Sequence, residues 1–297
     1  MKAKNIAVTF LGVVIFSLLP GCESQRLDQF ASFAAAGSQY VQALHKVIEQ
    51  AGSAMIASDS ATLIMARKQA GVGDPSTVRQ DDQMLETYLD NLQKIDAHAS
   101  LLGSYFEAIA KLTNGKAASD TATAASGLLD SINSFNPEIE KATFAEKSVK
   151  DYVKSGTNLV VTHFEVRALD EQLQKAAPTI DQALTLQEAA VNAIADQMKA
   201  ALGASLEVRE STDVIEPYVS GPPPNWNSSR ESYLRAKVTI DSVDQAKAAI
   251  GKLHAAFRQL AENRNASIDL SSLLNDINKM VGYASALESS LQHKSAK

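Results

Sequence analysis

The chain has 297 residues, 45% of them hydrophobic and only 6% aromatic, with a formal charge of −6. That length supports one large domain or two small ones, and it can bury a core without covalent staples. The acidic balance and the lack of any basic tract interleaved with aromatics argue against nucleic-acid binding. They also give no attraction to an anionic membrane surface.

In chain order, the first feature is Lys2 and Lys4, an apolar run from Ile6 to Leu19, and then Leu19-Pro20-Gly21-Cys22. A basic start, a short apolar core and a small residue before the cut are the parts of a secretory leader. The run is shorter than the ~20 apolar residues that a spanning helix needs. Cys22 is the sole cysteine of the chain. The stretch resembles the lipobox of bacterial lipoproteins, with Leu19 at the third position before the cysteine and Gly21 directly before it. Pro20 stands where that pattern usually carries Ala, Ser or Thr. The resemblance covers residues 1–23 only. It implies that residues 1–21 are a signal peptide, that Cys22 carries lipid (diacylglyceryl and palmitate) and that this lipid is the membrane anchor. In such proteins an Asp after the cysteine favours retention in the inner membrane. Glu23 at that place therefore implies transfer to the outer membrane of a two-membrane bacterium, facing the periplasm or the cell surface. With Cys22 committed to lipid, no disulfide is expected.

After a short tether over residues 22–28, helical periodicity predicts a bundle over residues 29–292, followed by a tail over 293–297. Phe30, Phe33, Gly37, Tyr40, Leu44, Val47, Ala51 and Ala54 alternate spacings of three and four, the seam of a coiled coil. Leu85, Tyr88, Leu92, Ile95, Ala99, Leu102, Phe106 and Ile109 repeat it. So do Val243, Ala246, Ile250, Leu253, Phe257 and Leu260, and then Leu270, Leu274, Ile277, Val281, Ala284 and Leu291. No alternating apolar-polar run is long enough to predict a sheet.

Breaks divide the helices. Gly71-Val72-Gly73-Asp74-Pro75 ends the first, and Asn114-Gly115 ends the second. A third helix starts near Ser119 or Asp120 and is kinked or interrupted at Pro137. Ser155-Gly156-Thr157 is the next break, a candidate division between two sub-bundles. A long helix to about Leu206, with a kink at Pro178, leads to Gly221-Pro222-Pro223-Pro224-Asn225-Trp226-Asn227, which reads as non-helical. This proline-rich loop, over residues 220–228, is the strongest linker. A helix from about Ser229 to Arg264 and another from about Leu270 to Gln292 close the chain. The expected fold is all-α: an elongated antiparallel bundle of long, partly coiled-coil-like helices. Counting passes, with Ser119–Lys154 as one kinked helix, puts the proline-rich loop beside Cys22. A reversal at Pro137 would move it to the far end.

Chemistry is scarce. The residues three before His45, His98, His163 and His254 are Gln42, Ile95, Val160 and Gly251, so the Glu-x-x-His pattern of di-metal bundles is absent. His45, His98 and His254 flank the seams and read as ordinary polar residues; His163 lies nearer the apolar stripe. There is no nucleophile elbow, and Gly71-Val72-Gly73 leads into Asp74-Pro75 rather than a phosphate-binding helix start. Carboxylates such as Asp81-Asp82 suit a helix start. No catalytic residue, metal or cofactor is predicted, and the chain does not read as an enzyme. Trp226, the one tryptophan, follows three prolines: it either meets a partner or headgroup layer, or folds back over the bundle end. The expected role is protein–protein contact at the cell envelope, as scaffold, inhibitor or accessory factor. A ligand-binding sensor or carrier is the alternative, and an envelope hydrolase the third.

Overall fold

A computed structural model describes residues 21–113, 118–144, 147–153, 168–240, 244–262, 268 and 270–292. The fold is an all-α bundle. α1 (Gly21–Ala70) and α2 (Pro75–Thr113) form a long antiparallel hairpin. Small residues on the facing sides allow close approach: a Cβ on Gly37 would stand 2.6 Å from the ring of Phe106, Gly103 faces Val41 and Gly52 faces Leu89. Gly71 closes α1 with φ of 73° and donates its N–H to the Arg67 carbonyl at 3.0 Å. Asp74 then opens α2 by accepting the Ser76 N–H at 2.8 Å, with Pro75 needing no partner in the first turn.

α3 (Ala118–Lys141) runs back along α2 and continues through Pro137 without interruption. Its direction is fixed by the His98–Asn136 bond and, further along, the donation from Asn91 to the Thr143 carbonyl. The chain does reverse, but after α3: β1 (Thr143–Phe144) pairs antiparallel with β2 (Lys147–Ser148), and α4 (Val149–Tyr152) follows, capped by the Ser148–Asp151 box. The expected single kinked helix to Lys154 is therefore wrong. Two-residue strands carry no alternation for a sequence pattern to detect.

α5 (Ala168–Arg209) passes through Pro178 and does not stop near Leu206; it continues through a π-turn (Glu210–Ile215) into α6 (Glu216–Ser220). Trp226 and Asn227, expected in the loop, are instead the first residues of α7 (Trp226–Ile240). α8 (Asp244–Glu262) and α9 (Ser271–Gln292) complete the bundle. α8 is locked antiparallel to α5. Asp181 meets His254 at 2.9 Å and Arg258 at 2.7 Å, Lys247 pairs with Asp196, and Lys199 reaches Asp244 at 2.6 Å.

These contacts set the polarity. Phe33, low on α1, packs against Phe106 and Phe257, so α8 ends and α5 begins near the Cys22 end. Gln187 on α5 then bonds to His98, higher up, so α1, α3 and α5 run the same way. The bundle is thus not uniformly antiparallel. Ser220 reaches the same end as Gly71, and the proline-rich loop lies opposite Cys22 rather than beside it.

One continuous core joins α1, α2, α3, α4, α5, α8 and α9. It includes Phe30 to Ala54 of α1 and Tyr88 to Leu112 of α2, and on α5 it stops at Leu202. Each large apolar side chain buried there contributes roughly 1.5–3 kcal/mol. Beyond it, residues from about Met55 to Thr87 project as one helical hairpin and those from about Gly203 to Leu234 as another.

Candidate functional site at the end opposite Cys22

Two places in the molecule bring chemistry together. The first is internal. His98, wholly buried, takes a hydrogen bond at Nδ1 from Gln187 Nε2 at 2.8 Å and gives one from Nε2 to Asn136 Oδ1 at 2.9 Å. Phe135 stacks on its ring. Burial pushes the His98 pKa down to about 4, against an opposing contribution from the Asn136 bond. His98 is thus a neutral core residue and not the flanking residue its spacing suggested. The seam pattern assumes one partner helix, whereas α2 packs on α1, α3 and α5. His254 is likewise buried, between Asp181 and Glu188. Burial alone would lower its pKa, but the hydrogen bonds to the two carboxylates outweigh it and raise it. Among the described residues no group of three or more His, Cys, Asp or Glu side chains is arranged to hold a metal ion. The internal cluster bonds largely to itself; among the described residues Asn136 Nδ2 and Gln187 Oε1 have no hydrogen-bond partner.

The second place is the end formed by the two projecting hairpins. Every exposed large apolar side chain among the described residues lies there. The α1–α2 hairpin carries Ile56, Ile64, Val72, Val78 and Met84; the α5–α7 hairpin carries Ile215, Tyr218, Val219 and Leu234. Val72 is 78% exposed, Tyr218 65% and Val219 79%, so these side chains are not filling space in their own fold. The α1–α2 end also holds a groove of about 740 Å³, lined by Leu63, Ile64, Ala70, Val72, Pro75 and Val78 with the guanidinium-bearing Arg67 and Arg79.

Trp226 belongs to this end. Its Nε1 donates to the Val214 carbonyl at 2.9 Å, its ring lies 5.6 Å from that of Tyr218, and the Arg230 guanidinium sits over it at 5.7 Å. The half-buried indole pins the start of α7 onto the π-turn, and Tyr218 is the more exposed ring beside it. Cys22 and Glu23 stand in the first turn of α1, at the other end; their side chains lie outside the described residues, as does His163. Sequence reading missed Tyr218, Val219 and the groove. Their residue types were visible, but nothing in a linear pattern says that the core ends before them.

The fold and this end define a helical bundle whose two projecting hairpins present unsatisfied apolar surface. No protein-family model matches the chain, and neither a curated protein nor a solved structure does. No helix among the described residues is long and apolar enough to cross a membrane.

Proposed function

We propose that this chain is a lipid-anchored envelope protein, held at the outer membrane through Cys22, which acts without catalysis by contacting another protein through the end remote from its anchor. The observation that carries the contact is the confinement of exposed large apolar side chains to that end. Patches of this kind on an otherwise polar surface are typical of protein interaction sites. The leader-like residues before Cys22 supply the anchor, and Glu23 the sorting to the outer membrane. A ligand carrier draws less support, because the buried polar groups around His98 and His254 bond chiefly to one another.

The test is site-specific photo-crosslinking in intact cells from Val72 and Val219, with Lys46, exposed at the level of the core, as the control. Discrete protein adducts from the two end positions and none from Lys46 are expected. Adducts from Lys46 alone, or from no position, overturn the contact reading. Metabolic labelling with a fatty acid, lost in Cys22→Ala, tests the anchor separately.

A further inference from the structure

We infer that the partner at this end is a second copy of the chain, the two molecules meeting end to end with the acidic hairpin of each seated in the groove of the other. This deepens the contact reading above and rests on it.

The groove on one hairpin and the tip of the other are opposite in charge. The groove lining carries Arg67 and Arg79 against Asp74, a balance of +1. Asp74 is already engaged by Ser76, while among the described residues Arg67 and Arg79 have no carboxylate partner. Lys68 and the acidic residues Asp59, Asp81, Asp82 and Glu86 belong to the same hairpin but lie outside the groove lining, so the positive balance is confined to the groove itself. Between Glu207 and Ser220 the other hairpin carries Glu207, Glu210, Asp213 and Glu216 against Arg209, a balance of −3. Arg209 serves Asp213, and among the described residues Glu207, Glu210 and Glu216 have no cationic partner. Both surfaces are apolar as well: Ile64, Val72 and Val78 in the groove, Ile215, Tyr218 and Val219 on the acidic hairpin.

Within one molecule they do not satisfy each other. The groove is lined only by residues 63–79, and Tyr218 and Val219 remain exposed. Because both hairpins point the same way, a two-fold axis at this end pairs groove with acidic hairpin twice. That closed arrangement uses both surfaces of both molecules and stops at two copies. It also doubles the buried area of either contact, which a stable interface of at least about 1,000 Å² requires. The apolar side chains supply the attraction; the charges fix the register and exclude the groove-on-groove alternative.

The experiment is sedimentation equilibrium of the full chain in density-matched detergent, over a concentration series, for the wild type, for Arg67→Glu with Arg79→Glu, and for Glu210→Lys with Glu216→Lys. All four positions are surface ones, and circular dichroism checks that helicity is kept. A wild-type dimer, at least about tenfold weaker in each double variant, is expected. Mixing the two variants should restore it, since each altered groove then meets an oppositely charged hairpin. A wild type that stays monomeric overturns the pairing, as does a dimer indifferent to both variants or one that mixing fails to restore. End-position adducts to an unrelated polypeptide, with a monomeric wild type, reject self-pairing and leave the contact reading standing. The absence of end-position adducts removes both.

Discussion

Single residues decide how closely the long helices meet. Gly37 is the tightest case: with the Phe106 ring 2.6 Å from where a Cβ would be, Gly37→Ala must push the ring or the helix aside. Overpacking of this kind costs about 1–3 kcal/mol, and Phe106→Leu in the same chain should recover much of it; paired denaturation curves measure both. Tyr105 makes the opposite point. Its hydroxyl is buried without a partner, so Tyr105→Phe should leave stability unchanged or raise it by up to about 1 kcal/mol. His98 sets a pH dependence. It is neutral in the fold down to about pH 4, while in the unfolded chain it takes up a proton near its ordinary value of ~6.5. Between those values the unfolded state binds more protons, so stability falls as pH drops, by about 3 kcal/mol over the whole interval. His98→Gln should flatten that limb in a pH series of urea unfolding, although it lowers stability near neutrality. The shift at His254 has the opposite sign. Its pKa is raised by Asp181 and Glu188, so its contribution is full below the ordinary histidine value and fades as pH rises through the folded one.

At the scale of elements, the core and the projecting hairpins are different objects. Leu92 is buried inside the common core, and Leu92→Asp places an unpaired charge there, which should cost more than about 3 kcal/mol and unfold much of the bundle. Ile64→Asp, 60% exposed on the groove hairpin, should leave the melting temperature nearly unchanged. Calorimetry on the two variants separates them directly. The same division explains what was legible in the sequence. The seams on α1, α2 and α8 are buried as the periodicity predicts, at Tyr40, Leu44, Ile95, Leu102 and Leu253, although α1 and α2 also bury residues beside the seam, such as Val41 and His98. On α9 the buried line runs through Leu273, Ile277, Met280 and Ala284, so it shares only part of the expected stripe. That helix meets α1, α7 and α8 together, and a single stripe is a poor description of such an environment. The hairpin of Thr143–Ser148 and the π-turn have no pattern at all. Pro137 and Pro178 both lie inside continuous helices, so of the two outcomes open at Pro137, a kink or an interruption, the interruption does not occur. The candidate site was the least legible part. An apolar residue at the end of a helix looks the same in sequence whether or not a core lies behind it.

For the whole molecule, the decisive fact is direction. α5 runs parallel to α1 and α3, away from Cys22, and carries the proline-rich loop and Trp226 with it. Membrane-depth quenchers should therefore leave Trp226 emission unaffected in the lipidated protein on vesicles, since the indole is remote from the anchor. Strong quenching would contradict the proposed anchoring at Cys22 or the placement of the loop. Under the sorting proposed for Glu23, Glu23→Asp should move the protein toward the inner membrane on a density gradient.

The unbroken course of α1 has a metrical consequence. From Cys22 to Ala70 it is one helix, so the distance between Cys22 and the groove is counted in residues, at ~1.5 Å each, or roughly 72 Å. Such a gauge can be recalibrated only in steps. Excising Met55–Ala61 together with Gln80–Glu86, a matched heptad from each arm, would shorten it by ~10 Å and return every remaining face to its neighbour. Excising two residues from each would rotate the arms by about 200° against each other and turn their seams outward. Relatives of this chain serving a narrower or wider gap should therefore differ by whole heptads in these two helices at once.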